Sequence, residues 1–435
     1  MNYQETLEFL FTSAPMFQNV GAGAYKEGLS TTKKLDEHFG HPHRSYHTIH
    51  VGGTNGKGSV SHTLAAILQS AGFRVGLYTS PHLADFRERI RVNGVPISEE
   101  RVIRFVAEER SFFEPLHPSF FELTTALAFA YFEEEKADVA VVEVGLGGRL
   151  DCTNVISPLL SVITNISLDH TQFLGETLAQ IAREKAGIIK ENTPVVIGEM
   201  LPETRTVFLR KAQRKNAPLF FAEEERRVVA TKVNREGGMR YDTSEYGEIA
   251  AALGGACQVK NTATILTAIA HLPLHITKRI SAECVRKGFA EVMQLTGLTG
   301  RWQCLQQAPL VICDTGHNRD AWRYLSRQLK ELPCSTLHIV FGVCADKDLL
   351  PILELLPQKA TYYFTQPSVE RALPAHLLRE QAVREGLNGR AYPSVGEAYR
   401  KALEEADADS AIFVGGSSFV VADLLRDMTK EENKR

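Results

Sequence analysis

The sequence contains no long hydrophobic run and no excess of charge of either sign. None of its apolar stretches approaches the ~20 residues that a membrane-spanning helix requires, and residues 1–17 are acidic where a signal peptide begins with basic residues. The 435 residues carry a net charge of −3, which gives no reason to expect a nucleic-acid or anionic-membrane partner. We therefore expect a cytoplasmic protein that binds neither nucleic acid nor membrane.

Cysteine is scarce and shows no pairing pattern. The seven cysteines are scattered, odd in number and include no Cys-x-x-Cys pair, so we expect free thiols in a reducing compartment and no zinc site. Repeats of solenoid period and low-complexity tracts are also missing. Because the chain is longer than one hydrophobic core usually serves, we expect two domains.

What the sequence does contain is a glycine-rich turn at residues 52–59, GGTNGKGS, between a β-prone run and an apolar-periodic segment. Glycines let backbone N–H groups approach an anion, and the helix N-terminus adds about half a positive charge. Lys57 would supply an ammonium for the outer phosphates of a nucleotide. In the standard P-loop, Ser or Thr follows the lysine and holds magnesium, whereas here Gly58 displaces the hydroxyl to Ser59. Phosphate binding is favoured over a merely flexible loop, with the metal held partly by other residues.

Strand and helix patterns alternate along the chain, which predicts a doubly wound α/β fold. Strands are predicted at residues 46–51, 74–78, 139–144, 161–164 and 194–197, and beyond the linker at 310–313, 337–341, 361–364 and 411–414. Residues 80–93 read as an irregular charged segment, residues 228–249 as a small antiparallel addition, and residues 281–294 as one helix. The predicted architecture is a P-loop domain with a mostly parallel sheet (residues 1–295), a linker (296–300) and a smaller Rossmann-like α/β domain (301–435).

Several polar residues fall at the carboxyl ends of predicted strands, where ligands of such sheets bind. Glu143 ends an apolar strand and is either one half of a buried ion pair or a magnesium ligand beside the phosphates. Ser80 and His170 follow two other strands; alone, they would read as a turn serine and a helix cap. Lys185 alone would pass as a solvated helix lysine.

Taken together, these segments resemble the folylpolyglutamate synthase and dihydrofolate synthase family of the Mur ligase superfamily. The resemblance is carried, in the family's order, by residues 50–59, 78–83, 143–151 with 153–154, 168–170, 184–190, 300–301, 314–318, 342 with 346–348, and 415–419. Residues 24–29 further resemble the bifunctional members. The resemblance implies an enzyme, often monomeric, that phosphorylates a carboxylate with ATP and lets L-glutamate attack the resulting acyl phosphate. The carboxylate belongs to dihydropteroate, to a reduced folate, or to both.

The resemblance also implies a role for each matched position. It implies that the ATP phosphates are bound by Thr54, Asn55, Gly56, Lys57, Gly58 and Ser59. Further contacts with the nucleotide are implied for Asn261, Arg301 and Asp314. It also implies that one magnesium is bound by Ser80, Glu143 and His170. Lys185 either binds a second magnesium as a carbamate or, as an unmodified lysine, contacts the phosphate that is transferred. His317 and Ser417 match residues directed toward the phosphates or the incoming glutamate. Lys57, Lys185, His170 and His317 are thus the expected catalytic residues.

The folate pocket and one departure from the family complete these expectations. Residues 80–93, with His82, align with the loop that covers the pterin, and Phe121 and Asp151 match positions that line the pocket. The alternatives are a core phenylalanine and a helix-capping aspartate. The family's Asp-Gly-Ala-His-Asn-Pro appears here as DTGHNR at residues 314–319, which changes the turn that carries His317.

Two other functions compete with this one. A Mur ligase that builds peptidoglycan precursors is disfavoured because such enzymes lack the extra glycine at Gly58 and usually carry a further N-terminal domain. A P-loop nucleotide switch that performs no ligation is disfavoured by the second Rossmann-like domain and by the set Glu143, His170 and Lys185.

Overall fold

The apolar runs of the sequence form the strands of a large, mostly parallel sheet in a computed structural model of the chain. The model describes residues 1–13, 28–233, 238–345 and 348–432. Most of the stretch 24–29, residues 234–237 of the predicted antiparallel addition, and Asp346 with Lys347 lie outside these ranges. The described residues divide into two units, Met1–Ala252 with Cys257–Leu298, and Leu253–Ala256 with Thr299–Arg435.

The first unit is built on an eight-stranded sheet of order β4-β3-β2-β5-β1-β6-β7-β8. Its strands are β1 (His47–Gly52), β2 (Val75–Tyr78), β3 (Ile90–Val92), β4 (Val95–Pro96), β5 (Val139–Glu143), β6 (Leu160–Ile163), β7 (Val195–Ile197) and β8 (Leu219–Phe221). Strands β2, β5, β1, β6, β7 and β8 are parallel to one another, and β3 and β4 add an antiparallel hairpin at the edge. The carboxyl ends of β2, β5, β1 and β6 therefore meet at one edge.

Helices cover both faces of this sheet. They are α1 (Tyr3–Ser13), α2 (Ser30–His38), α3 (Lys57–Ser70), α4 (Glu99–Phe113), α5 (Phe120–Glu134), α6 (Thr171–Leu174), α7 (Leu178–Lys185), α8 (Pro202–Arg214), α9 (Ala222–Glu225), α10 (Gln258–Ala270), α11 (Leu274–Thr277), α12 (Ala282–Ala290) and α13 (Val292–Thr296). One apolar cluster packs α3, α10 and α12 on the sheet, and a second packs α1, α4 and α5.

The predicted antiparallel addition is a separate three-stranded sheet of β9 (Val228–Val233), β10 (Met239–Thr243) and β11 (Gly247–Ala251). Its buried side chains Met239, Tyr241 and Ile249 join the cluster that contains α3. The predicted fold class is thereby confirmed for the first unit.

The second unit carries a six-stranded sheet of order β12-β13-β17-β14-β15-β16. Its strands are β12 (Gln303–Gln307), β13 (Leu310–Asp314), β14 (Leu337–Phe341), β15 (Thr361–Phe364), β16 (Gly389–Ala391) and β17 (Ala411–Gly415), and its helices are α14 (Arg319–Lys330), α15 (Leu350–Leu353), α16 (Ala375–Arg384), α17 (Val395–Glu405) and α18 (Ser418–Glu432). All strands are parallel except the edge strand β12. This arrangement is the predicted Rossmann-like fold.

Residues 86–92 form regular structure, so the expectation of an irregular segment was wrong for this part of residues 80–93. Asp85 and Glu88 form a capping box on a 3-10 helix at Phe86–Arg89, and the chain then turns back as the β3–β4 hairpin. Asn93 and Gly94 take φ angles of 48° and 78°, as a two-residue hairpin turn between right-twisted strands requires.

The predicted helix at 281–294 is also interrupted, because the carbonyl of Phe289 accepts a hydrogen bond from the backbone N–H of Ala252. Its second part, α13, ends at Thr296, the first residue of the predicted linker. Among the described helices, none combines the length and apolar character needed to cross a membrane. All seven cysteines are free thiols, as predicted.

Candidate active site

The glycine-rich turn connects the central strand β1 to α3, which begins at Lys57. Gly56 precedes the helix with a φ of 83°, and a Cβ on Gly56 would lie 2.4 Å from Oδ1 of Asn261. Gly53 has a φ of 141°, and a Cβ there would lie 1.9 Å from Oγ1 of Thr164. Only glycine fits this turn, and Asn261 lies directly against it.

The loop after β6 braces the turn. The backbone N–H groups of Thr54 and Asn55 donate to the main-chain oxygen and to Oδ1 of Asn165, at 3.0 and 2.8 Å. The hydroxyl of Thr54 accepts from the N–H of Ser167 at 3.1 Å. The turn is thus held rigidly, with the first N–H groups of α3 at its helical end.

The side chains of Lys57 and Ser59 both form hydrogen bonds within the protein. The ammonium of Lys57 folds back to donate to the carbonyl of Thr54 at 3.2 Å. Ser59 is buried, and its hydroxyl accepts from Nε2 of Gln258 at 3.4 Å. Ser59 is therefore engaged within the protein, which fits the expectation that other residues hold much of the metal.

Glu143 lies at the end of β5, with 3% of its surface exposed. Its Oε2 accepts from the backbone N–H of Ser80, 3.2 Å away at the end of the neighbouring strand β2. Arg89 is buried nearby; burial lowers its pKa to about 10, and the Glu143 carboxylate acts in the opposite direction. The two predicted ligands Ser80 and Glu143 thus meet, and Arg89 supplies a cation of the kind that the ion-pair alternative requires.

His170 follows β6 and precedes the short helix α6, in the left-handed conformation with a φ of 50°. Its backbone N–H donates to Oδ1 of Asp169 at 2.9 Å, and its Nε2 lies 3.8 Å from the same oxygen. His170 therefore sits at the same edge of the sheet as Glu143, with its imidazole beside a carboxylate.

Lys185 is buried at the end of α7, contrary to a reading of it as a solvated helix lysine. Its ammonium donates to the carbonyl of Gly53 at 2.7 Å, so it reaches the base of the glycine-rich turn. Burial, together with the nearby charge of Lys57, lowers the pKa of Lys185 from 10.5 to about 7. Near neutral pH, a large fraction of this amine is uncharged and nucleophilic.

Phe121 and Asp151 flank the turn that follows Glu143. The ring of Phe121 stacks on that of Tyr78 at 5.7 Å, and it occupies the space that a Cβ on Gly145 would need. The carboxylate of Asp151 accepts from the N–H of Leu146 and caps the 3-10 helix Cys152–Val155. Burial raises the pKa of Asp151, and the helix-capping alternative is confirmed for its carboxylate.

His82 belongs to the segment predicted to cover the pterin. Its Nδ1 accepts from Nε of Arg89 at 2.7 Å, and its ring stacks on Phe11 of α1 at 6.4 Å. Arg89 thus contacts a predicted pterin residue, His82, and acts electrostatically on a predicted metal ligand, Glu143.

In the second unit, Asp314 ends β13 and pairs with Gly415 at the end of β17. Its two carboxylate oxygens accept from the N–H groups of Trp302 and Gly316, each at 2.7 Å. Burial raises the pKa of Asp314, and the charge of Arg301 opposes that rise. Asp314 therefore fixes the turn that carries Arg301.

The two predicted glutamate contacts lie at the same edge of this second sheet. Nδ1 of His317 donates to the Thr315 carbonyl at 3.2 Å. Asn318 caps α14, because its Oδ1 accepts from the backbone N–H of Ala321. Ser417 is buried, and its hydroxyl accepts from the N–H of Val420 at the start of α18.

Comparison with known proteins assigns the family. The family model for the Mur ligase middle domain matches residues 51–270, and the model for the Mur ligase glutamate ligase domain matches residues 300–418. The chain is 37% identical over 338 residues to the dihydrofolate synthase/folylpolyglutamate synthase of Bacillus subtilis, which covers 74% of this chain and 76% of that protein. The chain belongs to the folylpolyglutamate and dihydrofolate synthase family of Mur ligases.

Other members of the family extend the match over the whole chain. A probable bifunctional folylpolyglutamate synthase/dihydropteroate synthase of Haloferax volcanii is 34% identical over 445 residues, or 99% of this chain; the chain spans about half (51%) of that protein. Escherichia coli FolC, solved with DHPP and ADP, superposes with a TM-score of 0.85 at 30% identity over 99% of each chain. A bifunctional family structure with Mn, AMPPNP and L-glutamate bound gives a TM-score of 0.80 at 31% identity, over 99% of this chain and 98% of that one.

As a member of this family, the chain is an ATP-dependent ligase. Sequence reasoning missed four residues that shape its site: Arg89, Asn165, Ser167 and Gln258. Asn165 and Ser167 follow a strand at the functional edge, so their position was a usable signal. Arg89 and Gln258 gave none, because one lies in a charged segment and the other on a long helix.

Proposed function

We propose that this synthase joins L-glutamate to dihydropteroate, to the glutamate tail of a reduced folate, or to both, through an acyl phosphate. The observation that carries the proposal is that Lys57, Glu143 and Ser80 lie at or beyond the carboxyl ends of adjacent strands, while Lys185 reaches the glycine-rich turn from the end of α7. A braced phosphate turn thus lies beside a buried carboxylate and a buried amine. That combination suits phosphoryl transfer to an acid better than it suits a nucleotide switch.

The proposed reaction has two balanced steps. A carboxylate oxygen of the pterin acid attacks the γ-phosphorus of ATP, and ADP leaves. The amino nitrogen of glutamate then attacks the acyl carbon, phosphate leaves, and the nitrogen loses a proton to form the amide. Both steps gather negative charge, so the N–H groups at the start of α3 and the Lys57 ammonium act by holding phosphate oxygens in place.

Magnesium is proposed at the ends of β2, β5 and β6. Glu143 supplies a buried carboxylate, Ser80 a hydroxyl and His170 an imidazole, and a bound divalent ion would offset phosphate charge there. The buried carboxylate is the feature that fits the ion, because carboxylate oxygens beside phosphates are the ligands that magnesium prefers. The relative solved with manganese and AMPPNP supports the use of a divalent metal with ATP.

Lys185 is proposed to be carbamylated. A neutral amine attacks carbon dioxide at carbon and loses a proton, which gives a carbamate. The anionic carbamate oxygen can bind a cation, whereas an ammonium cannot. The lowered pKa of Lys185 makes the neutral amine available near pH 7. Carbon-13 NMR of the protein equilibrated with labelled bicarbonate should give a carbamate signal that a Lys185→Met variant lacks.

The remaining sites are assigned to the two predicted domains. Residues 1–295 would bind ATP, with Asn261 beside the turn, and would hold the pterin with His82, Phe121 and Asp151. Residues 301–435 would add Arg301 and Asp314 for the nucleotide and His317 and Ser417 for glutamate, with residues 296–300 as the linker. We further propose a monomer in the cytoplasm, consistent with the free thiols.

One assay tests the function. Phosphate release from ATP should require both L-glutamate and a pteroate or folate, and a Lys57→Ala variant should lose most of this activity while it stays folded. Activity with a UDP-sugar acid would instead support the peptidoglycan alternative. Nucleotide hydrolysis without either acceptor, or full activity of the Lys57→Ala variant, would refute the proposal.

A further inference from the structure

A cluster of Asp36, His41 and His43 lies apart from the residues assigned to the ligase site, at the end of α2. Nδ1 of His41 is 2.6 Å from Oδ2 of Asp36, and Nε2 of His43 is 3.2 Å from Oδ1 of the same carboxylate. One ligand atom from each residue lies within 4.8 Å of the other two. A single carboxylate therefore faces two imidazoles.

The local backbone builds this arrangement. His41 adopts a left-handed conformation with a φ of 61°, and its N–H donates to the carbonyl of Asp36 at 2.8 Å. Pro42 then starts a single 3-10 turn, Pro42–Arg44, which brings His43 back toward the same carboxylate. The three ligands thus come from one short stretch, the last turn of α2 and the residues that follow it, whose geometry the backbone fixes.

The cluster is not fully satisfied by its own hydrogen bonds. Oδ1 of Asp36 is buried and accepts no hydrogen bond, although Nε2 of His43 is only 3.2 Å away. Such an oxygen is costly to bury unless another partner binds it. Oδ1 and the two imidazole nitrogens would together provide three ligand atoms for one ion.

We propose that Asp36, His41 and His43 bind one divalent transition-metal ion of the zinc class, with water as a fourth ligand. Two imidazole nitrogens and one carboxylate oxygen suit zinc or cobalt, whereas magnesium prefers oxygen ligands alone. The absence of paired cysteines does not bear on this site, because it uses no sulfur. The proposal is independent of the ligase reaction.

Two further features favour metal binding. Burial lowers the pKa of His43, which favours the neutral imidazole, the form that binds metals. The Asp36 carboxylate supplies a negative charge between the two rings, which a divalent cation complements.

The ion would hold the end of α2 against the 3-10 turn Pro42–Arg44, and both of these segments contact α5. The ring of His43 contacts that of Phe129 on α5 at 5.9 Å, and Thr32 of α2 donates to Glu122 of α5 at 3.1 Å. Because α5 carries Phe121, the proposed ion is structural and supports one wall of the predicted pterin pocket.

The test is a titration of the full chain with Co²⁺ in excess Mg²⁺ and ADP, read by visible absorption and repeated with Zn²⁺ in a thermal melt. The principal variant is His41→Asn, since asparagine tolerates the left-handed conformation; Asp36→Asn is the second. The matched control is His38→Asn, which removes a similar imidazole–carboxylate contact, with Glu109 at 2.7 Å, and leaves the three ligands intact.

We expect wild type and His38→Asn to bind one more equivalent of Co²⁺ than His41→Asn. The affinity of that equivalent should fall about tenfold or more in Asp36→Asn, and Zn²⁺ should raise the melting temperature of the wild type but not of His41→Asn. Equal stoichiometry in wild type and His41→Asn, loss of the equivalent in His38→Asn, or absorption bands from thiolate ligands would overturn the proposal. Circular dichroism confirms that each variant is folded.

Discussion

The buried amine of Lys185 makes the stability of the protein depend on pH in a way that can be calculated. Its pKa falls from 10.5 to about 7 on folding, so between these values the unfolded chain binds a proton that the folded chain does not. Stability must therefore rise with pH across this window. The proton-linked penalty is complete below pH 7 and disappears above the unfolded pKa.

The magnitude follows from about 1.4 kcal/mol for each pH unit between the two pKa values. The full penalty is about 5 kcal/mol, and about 2 kcal/mol of it should be relieved between pH 7 and pH 9. Replacement of Lys185 by methionine removes the titrating group and keeps a similar apolar length. The free energy of unfolding of the wild type should therefore rise by about 2 kcal/mol relative to Lys185→Met over that interval.

Urea unfolding at pH 6, 7, 8 and 9 measures this difference in buffer freed of carbon dioxide, so that the Lys185 amine carries no carbamate. Other groups that titrate in the same range, such as Lys190 with a pKa lowered by burial to about 8, cancel between the two proteins. A control variant, Lys34→Met on the exposed side of α2, should stay parallel to the wild type. If Lys185→Met were also parallel to the wild type from pH 7 to pH 9, the argument from burial would be refuted.

Two further predictions concern backbone turns, one in each unit. Gly53→Ala would place a Cβ 1.9 Å from Oγ1 of Thr164, so we expect weaker ATP binding and about 1–3 kcal/mol of lost stability; normal ADP affinity by calorimetry would contradict this. Asp314→Asn leaves one of the two N–H groups of Trp302 and Gly316 without its acceptor, which should cost about 1–3 kcal/mol in urea unfolding. An unchanged unfolding midpoint would show that the Asp314 carboxylate does not fix the turn.

The sequence predicted the interior of the fold well because burial on both faces leaves a clear signature. Strand β5 (VAVVE) is apolar up to its last residue and β1 (HTIHVG) is buried and β-prone, and both were identified within two residues of their bounds. The edge strand β12 has the sequence QCLQQ, which shows neither an apolar run nor alternation. Its pairing with β13 depends on a neighbour and not on its own composition.

The positions of the candidate site residues along the chain were more predictable than the contacts that their side chains form. Ser80 and Glu143 could be placed at strand ends, and the structure brings them within hydrogen-bonding distance. The burial of Lys185 could not be foreseen, because it depends on the carbonyl of Gly53, 132 positions earlier in the chain. The same limit applies to Arg89, whose burial arises from a hairpin that the charged sequence around it conceals.

The hydrogen bonds that the glycine-rich turn forms with Asn165 and Ser167 have a thermodynamic consequence. A loop that stiffens only around its ligand gives up conformational freedom at that moment, and its affinity is reduced accordingly. Here the ordering has already taken place when the polypeptide folds. The binding site for a nucleotide at Thr54 and Asn55 would therefore be preorganised, and little of the binding free energy would be spent on ordering the loop.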